Sequence, residues 1–203
     1  MPESSDLYLR LRAGDEEAFR ALVRKHQASL LGVAKTFVRN SATAEEVVQD
    51  TWLAVITGLE AFEGRASLKN WIFAILANKA RSRAVRDGRV VAVGSFAEEG
   101  DEGEPQVASS RFDSAGMWAV PPALWDAVTP ERVVAGRQIW SHVADAIDGL
   151  PPAQRSVLIL RDVEQMESAE ICDILDITDA NQRVLLHRAR AQIREFVEQL
   201  LAI

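Results

Sequence analysis

Seven cations fall between Gly64 and Arg89, namely Arg65, Lys69, Lys79, Arg81, Arg83, Arg86 and Arg89, and they face the single acid Asp87. Seven against one gives this stretch a local charge of +6 in a chain of net charge −7. Cations so concentrated neutralise a polyanion, because a phosphate backbone responds to local charge density and not to the overall balance. Phe73 lies among them on a helical face with Asn70, Ala77 and Arg81. A ring in such company can make a domain contact or stack on an unpaired base. A second basic set, Arg183, His187, Arg190 and Arg194, shares one helical face, and no acid interrupts the run from Ala180 to Arg194. Glu45, Glu46, Gln49 and Asp50 form the opposite kind of surface, an acidic face for solvent or a basic partner.

The elements that carry these residues are helical by period. Thr43-Ala-Glu-Glu46 has the spacing of a capping box and predicts a helix start. Val47, Val48, Trp52, Val55, Ile56 and Leu59 then recur as one buried stripe. After the loop Phe62–Ser67, Ser67 is the expected N-cap of a second helix with the stripe Leu68, Trp71, Ile72, Ile75 and Leu76. Residues 91–135 carry eight acids against Arg111 and Arg132, with four of the seven prolines, and show no periodic apolar pattern. Within that linker Trp118 and Trp125 flank a diproline, and either dock on a domain or anchor a partner.

Past the linker a helix through Val133, Ile139, Trp140, Val143 and Ile147 is expected to end near Gly149, and another to open at Leu150-Pro-Pro152. A short helix near 167–175, a turn at Asp176–Asp179 and a long basic helix from Ala180 to about Leu201 have the outline of a helix-turn-helix. The fold expected is all-α, with two small helical domains over residues 6–90 and 133–203 and an acidic linker over 91–132. Cys172 stands alone, which fits a reducing compartment. His26, His142 and His187 are scattered, and the chain has no Gly-rich phosphate loop or nucleophile elbow, so neither metal, cofactor nor enzyme activity is expected. No apolar run is long enough to span a bilayer and the N-terminus is acidic and polar, so no membrane insertion is expected either.

In order along the chain, these motifs resemble the extracytoplasmic-function sigma factors, group 4 of the sigma-70 family. Ala44–Trp52 is similar to the region-two helix that meets the clamp helices of the largest subunit of core RNA polymerase, and Phe62–Trp71 to the loop and helix that open the −10 element. Leu150–Arg155 and the helix-turn-helix resemble region four, which docks on the flap of the second-largest subunit and reads the −35 element.

The resemblance implies polymerase contacts at Glu45, Glu46, Gln49, Asp50 and Trp52. It implies −10 contacts at Arg65, Ser67, Lys69, Asn70, Trp71, Phe73, Arg81, Arg83 and Arg86, and −35 contacts at Asn181, Arg183, His187, Arg188, Arg190 and Arg194. The linker would thread the nucleic-acid channel, and promoter DNA and an anti-sigma factor are the further partners implied. The site of action would be the cytoplasm, either free or held at the inner membrane through that inhibitor. Two departures stand out: Gln182 where an apolar residue is usual and Leu185 where a basic one is, while Asp176 replaces a common turn glycine. On the residues alone, a plain helix-turn-helix regulator and a sigma mimic that sequesters a partner remain open.

Overall fold

A computed structural model describes residues 2–64, 66–87 and 142–201, with side chains from 7 to 199 apart from 65 and 88–141. Arg65, Arg89, the linker tryptophans and residues 133–141 lie outside the described residues. Among those described, every regular element is helical. The chain is an all-α protein with two helical domains.

The N-terminal helices are α1 (Pro2–Arg12), α2 (Glu16–Phe37), α3 (Ser41–Gly58) and α4 (Leu68–Arg86). Asp15 caps α2, its carboxylate accepting the Glu17 and Ala18 amides, and this holds its pKa below the ordinary value. The start of α3 differs from the sequence expectation. Asn40 is the N-cap and accepts from the Thr43 amide at 2.7 Å, so Thr43 sits inside the first turn and is buried. Ser67 does cap α4, accepting from the Asn70 amide. Apolar stripes on α2, α3 and α4 meet in a bundle around Leu30, Val33, Phe37, Val48, Ile72 and Leu76, none of them exposed. Burying such side chains is worth about 1.5–3 kcal/mol each. Ile56, placed by period in the stripe of α3, is instead 53% exposed.

The C-terminal domain begins with α5 (142–149) and α6 (Pro152–Leu158). Proline fits the first turn of α6, where no backbone donor is needed. The helix then widens into one π-helical turn, Ile159–Val163, with the Glu164 amide bonded to the Ile159 carbonyl. After it come α7 (Ser168–Leu175) and α8 (Asp179–Leu201). Asp176 ends α7 in the left-handed conformation, φ 57° and ψ 52°, as an aspartate in place of glycine can. Leu160, Met166, Ile171, Leu175, Leu185 and Ala189 close this domain's core.

The two domains pack on each other. α6 and its π-helical turn lie across α2, and α7 lies against α4. Gly32, in the middle of α2, meets Ile159 so closely that a Cβ there would stand 2.8 Å from the isoleucine Cδ1. A glycine costs a helix interior about 1 kcal/mol relative to alanine, and close approach is what this one permits.

Candidate polymerase and nucleic-acid interface

Glu45, Glu46, Gln49 and Asp50 are all exposed on one side of α3. Leu53 and Ile56, 61% and 53% exposed, continue that side by a further turn. The surface is therefore an acidic patch with an apolar end, and sequence reasoning missed Leu53. Trp52 points the other way. It is 8% exposed, its indole donates to the Gln27 side chain at 2.8 Å, and its ring meets Phe19 edge-on, so it packs in the core.

The α4 residues divide into those that reach solvent and those that do not. Ser67 and Arg86 are exposed, and Trp71 is half-buried against Phe62. Arg83 is held between two carboxylates, Glu46 at 2.7 Å and Asp87 at 3.1 Å, whose hydrogen bonds raise its pKa. Asn70, Phe73 and Ala77, which the helical wheel puts on an open face, are buried, Phe73 completely. The Phe73 ring stands perpendicular to His26. The wheel could not foresee that a second domain covers this side of the bundle.

That cover has a polar seam. His26 Nδ1 lies 2.8 Å from a Glu164 carboxylate oxygen, both side chains being about one-twentieth exposed. Burial pushes the Glu164 carboxyl up, but hydrogen bonds from His26 and Ser29 and the charges of His26 and Lys69 outweigh it and leave the pKa lowered. The Lys69 ammonium donates to the Glu164 backbone carbonyl. Thr36 and Ser156 share a buried hydroxyl contact of 2.7 Å. Arg81 donates to the Ile174 carbonyl at 2.6 Å with its guanidinium over the Phe37 ring, and burial lowers its pKa against the opposing charge of Asp176. Nothing in the sequence marks Glu164, whereas the mid-helix Gly32 is a signal of close approach.

On α8 the basic face also divides. Arg183 is exposed and paired with Asp179 one turn earlier, and Val184 beside it is 46% exposed. Asn181, His187 and Arg188 are partly exposed. Thr178 caps this end by accepting the Asn181 amide. Arg190 turns inward, its guanidinium gripped by both oxygens of Asp162 at 2.6 and 3.0 Å, and Arg194 pairs with Glu198 at 2.5 Å. Their side chains are 10% and 8% exposed, Arg190 paired to a residue of the π-helical turn and Arg194 to one within α8. Gln182 is 1% exposed, which explains why an apolar residue is usual there.

Residues 22–90 match the model of sigma-70 region 2, and residues 142–193 match that of sigma-70 region 4, together more than half of the chain and in the expected order. The chain belongs to the sigma-70 family. Within the family it is an extracytoplasmic-function factor. It is 27% identical over 199 residues to the RNA polymerase sigma-H factor of Pseudomonas aeruginosa, covering 98% of this chain and 96% of that one. To the extracytoplasmic-function sigma-E factor of Escherichia coli K12 it is 25% identical over 192 residues, covering 95% and 93%. Its fold is similar to a sigma factor of Bartonella quintana solved with an anti-sigma factor, with a TM-score of 0.51 at 20% identity over 89% of this chain and 96% of that one. As a sigma factor it is a transcription initiation factor and not an enzyme, and it binds core RNA polymerase and promoter DNA. Among the described residues no helix is long and apolar enough to cross a membrane.

Proposed function

We propose that this sigma factor docks on core polymerase through the exposed side of α3, with Glu45, Glu46, Gln49 and Asp50 supplying charge and Leu53 and Ile56 the apolar contact. Residues 6–90 act as the −10 unit, 91–132 as the linker and 133–203 as the −35 unit. Ser67, Lys69 and Trp71 meet the unpaired strand, and Arg81, Arg83 and Arg86 the adjoining phosphates. The −35 element is read by the N-terminal half of α8 through Asn181, Arg183, Val184, His187 and Arg188, while Arg190 and Arg194 hold the domain together. The observation that supports this reading is the division of the cations on α8, where Arg183 near its start is exposed while Arg190 and Arg194 are 10% and 8% exposed.

The protein works in the cytoplasm and is held inactive by an anti-sigma factor, a partner with which the Bartonella quintana relative was solved. Run-off transcription with purified core polymerase on a library of promoter fragments tests the whole reading. Discrete transcripts that depend on the protein are expected. Asp50→Arg should weaken polymerase binding, whereas Arg183→Ala should mainly weaken −35 recognition. Equal loss of both activities in both variants would defeat that division of labour.

A further inference from the structure

The opening stretch of α8 holds one cation and one acid. From Asp179 to Leu186 Arg183 is the only cation and Asp179 the only acid. Leu185, at a position where a basic side chain is usual, is buried and offers nothing to a groove. The two charged side chains pair one turn apart, Arg183 Nη2 lying 2.6 Å from Asp179 Oδ2, although they are 73% and 54% exposed. A pair so open to water adds little to folding. Nor is this carboxylate needed to cap the helix, because the Thr178 hydroxyl already accepts the Asn181 amide. Asp176, three positions earlier, ends α7, and its charge acts on Arg81 of the other domain instead.

An acid at the reading end of a DNA-binding helix repels phosphate, so it costs affinity unless it improves recognition. Pairing with Arg183 improves it in two ways. A lone arginine swings to the nearest phosphate, a contact that carries no sequence information, whereas one whose charge is already met by a carboxylate gains less there. The carboxylate also takes one hydrogen of Nη2 and fixes the plane of the guanidinium, which leaves the other Nη2 hydrogen and those of Nη1 for the O6 and N7 of a guanine.

We infer that Asp179 is a positioning residue for promoter recognition, holding Arg183 in the orientation that reads a guanine of the −35 element and keeping it off the phosphates. The inference rests on the reading of Arg183 as a −35 residue.

The test uses the full-length protein assembled with core polymerase, and competition binding to templates in which each −35 base is replaced in turn. Arg183→Ala locates the base that Arg183 reads. At that base Asp179→Ala should cut the preference for guanine about tenfold. On templates substituted there it should bind about two- to threefold more tightly than the parent, and the gain should grow as salt is lowered, because the freed arginine becomes a phosphate contact. The control is Asp173→Ala. Asp173 is exposed on α7 and lies near the same turn, since the Cys172 thiol has its pKa raised by burial and then by the charges of Asp179 and Asp173. Its loss should leave the base preference as in the parent. If Asp179→Ala loses its helical circular dichroism, Asp179→Ser, whose side chain favours helix starts, takes its place. Weaker binding to every template with an unchanged preference would show that Asp179 only supports the helix, and overturns the inference. An equal loss of preference in Asp173→Ala overturns it too, by showing an effect of bulk charge. Should Arg183→Ala abolish a guanine preference that Asp179→Ala keeps, the −35 reading stands and the inference alone fails; should Arg183→Ala change no preference at any base, both fall.

Discussion

Arg190 is the residue on which helical period and tertiary structure disagree most sharply, and replacing it with alanine separates them. The guanidinium makes two hydrogen bonds to Asp162, and its side chain is 10% exposed while that of Asp162 is 34% exposed. Truncating one member of a fully buried pair costs about 3–5 kcal/mol, and an exposed pair is worth about 0–1 kcal/mol. Asp162 retains access to water once its partner is gone, so the loss should fall between these limits, at about 2 kcal/mol. For a domain of this size that lowers the unfolding midpoint by roughly 10 °C. Thermal melting of the full chain followed by circular dichroism reads the loss, and Asp162→Asn in the same background should show strongly non-additive behaviour. Duplex −35 DNA binding, measured well below the transition, should stay within about twofold of the parent. The reasoning is refuted if Arg190→Ala melts with the parent yet loses −35 affinity and about one unit of salt slope, which is the signature of a lost phosphate contact.

Three further outcomes follow from the same geometry. The folded pKa of Glu164 lies below its ordinary 4.5, so its contribution to stability is complete above that value and fades as pH falls through the lower folded one; Glu164→Gln should flatten this acid limb in melting curves taken across pH, and an unchanged limb would disprove the coupling to His26 and Lys69. Asp176→Gly should stabilise the C-terminal domain by about 0.5–1 kcal/mol, because glycine occupies the left-handed region without a Cβ penalty, and a lower melting midpoint would show that its charge opposite Arg81 matters more. Val184→Ala should weaken −35 binding several-fold only where its methyls meet a thymine; uracil substituted for thymine, position by position, should then weaken the parent and leave the variant unaffected at that base.

Much of the fold was legible in the residues because local signals suffice for it. Ser67 capped α4 as expected, the diproline opened α6, and an aspartate took the left-handed position at the end of α7. The acidic side of α3 and the exposed start of α8 were legible too, since an amphipathic period tells which side of a helix a core must cover. Period fails where a helix has more than one neighbour. Trp52 belonged to its stripe and stayed in the core, but Phe73 and Asn70 lie on the side of α4 away from its apolar stripe and are buried nonetheless. Arg190 shares a helical face with Arg183, yet one grips Asp162 while the other reaches solvent, because Asp162 in the π-helical turn lies within reach of Arg190.

The sequence by itself determined α3, α4 and the C-terminal helices, the Ser67 cap, the order of the two domains and the family, for these depend on spacing within short stretches of chain. Only the tertiary structure decided which cations remain available and what the far side of α4 touches. His26 and Glu164 are 138 positions apart, and the contact of Gly32 with Ile159 spans a similar distance along the chain. No local propensity encodes such a pairing; it arises when two surfaces exclude water and satisfy one another's polar groups.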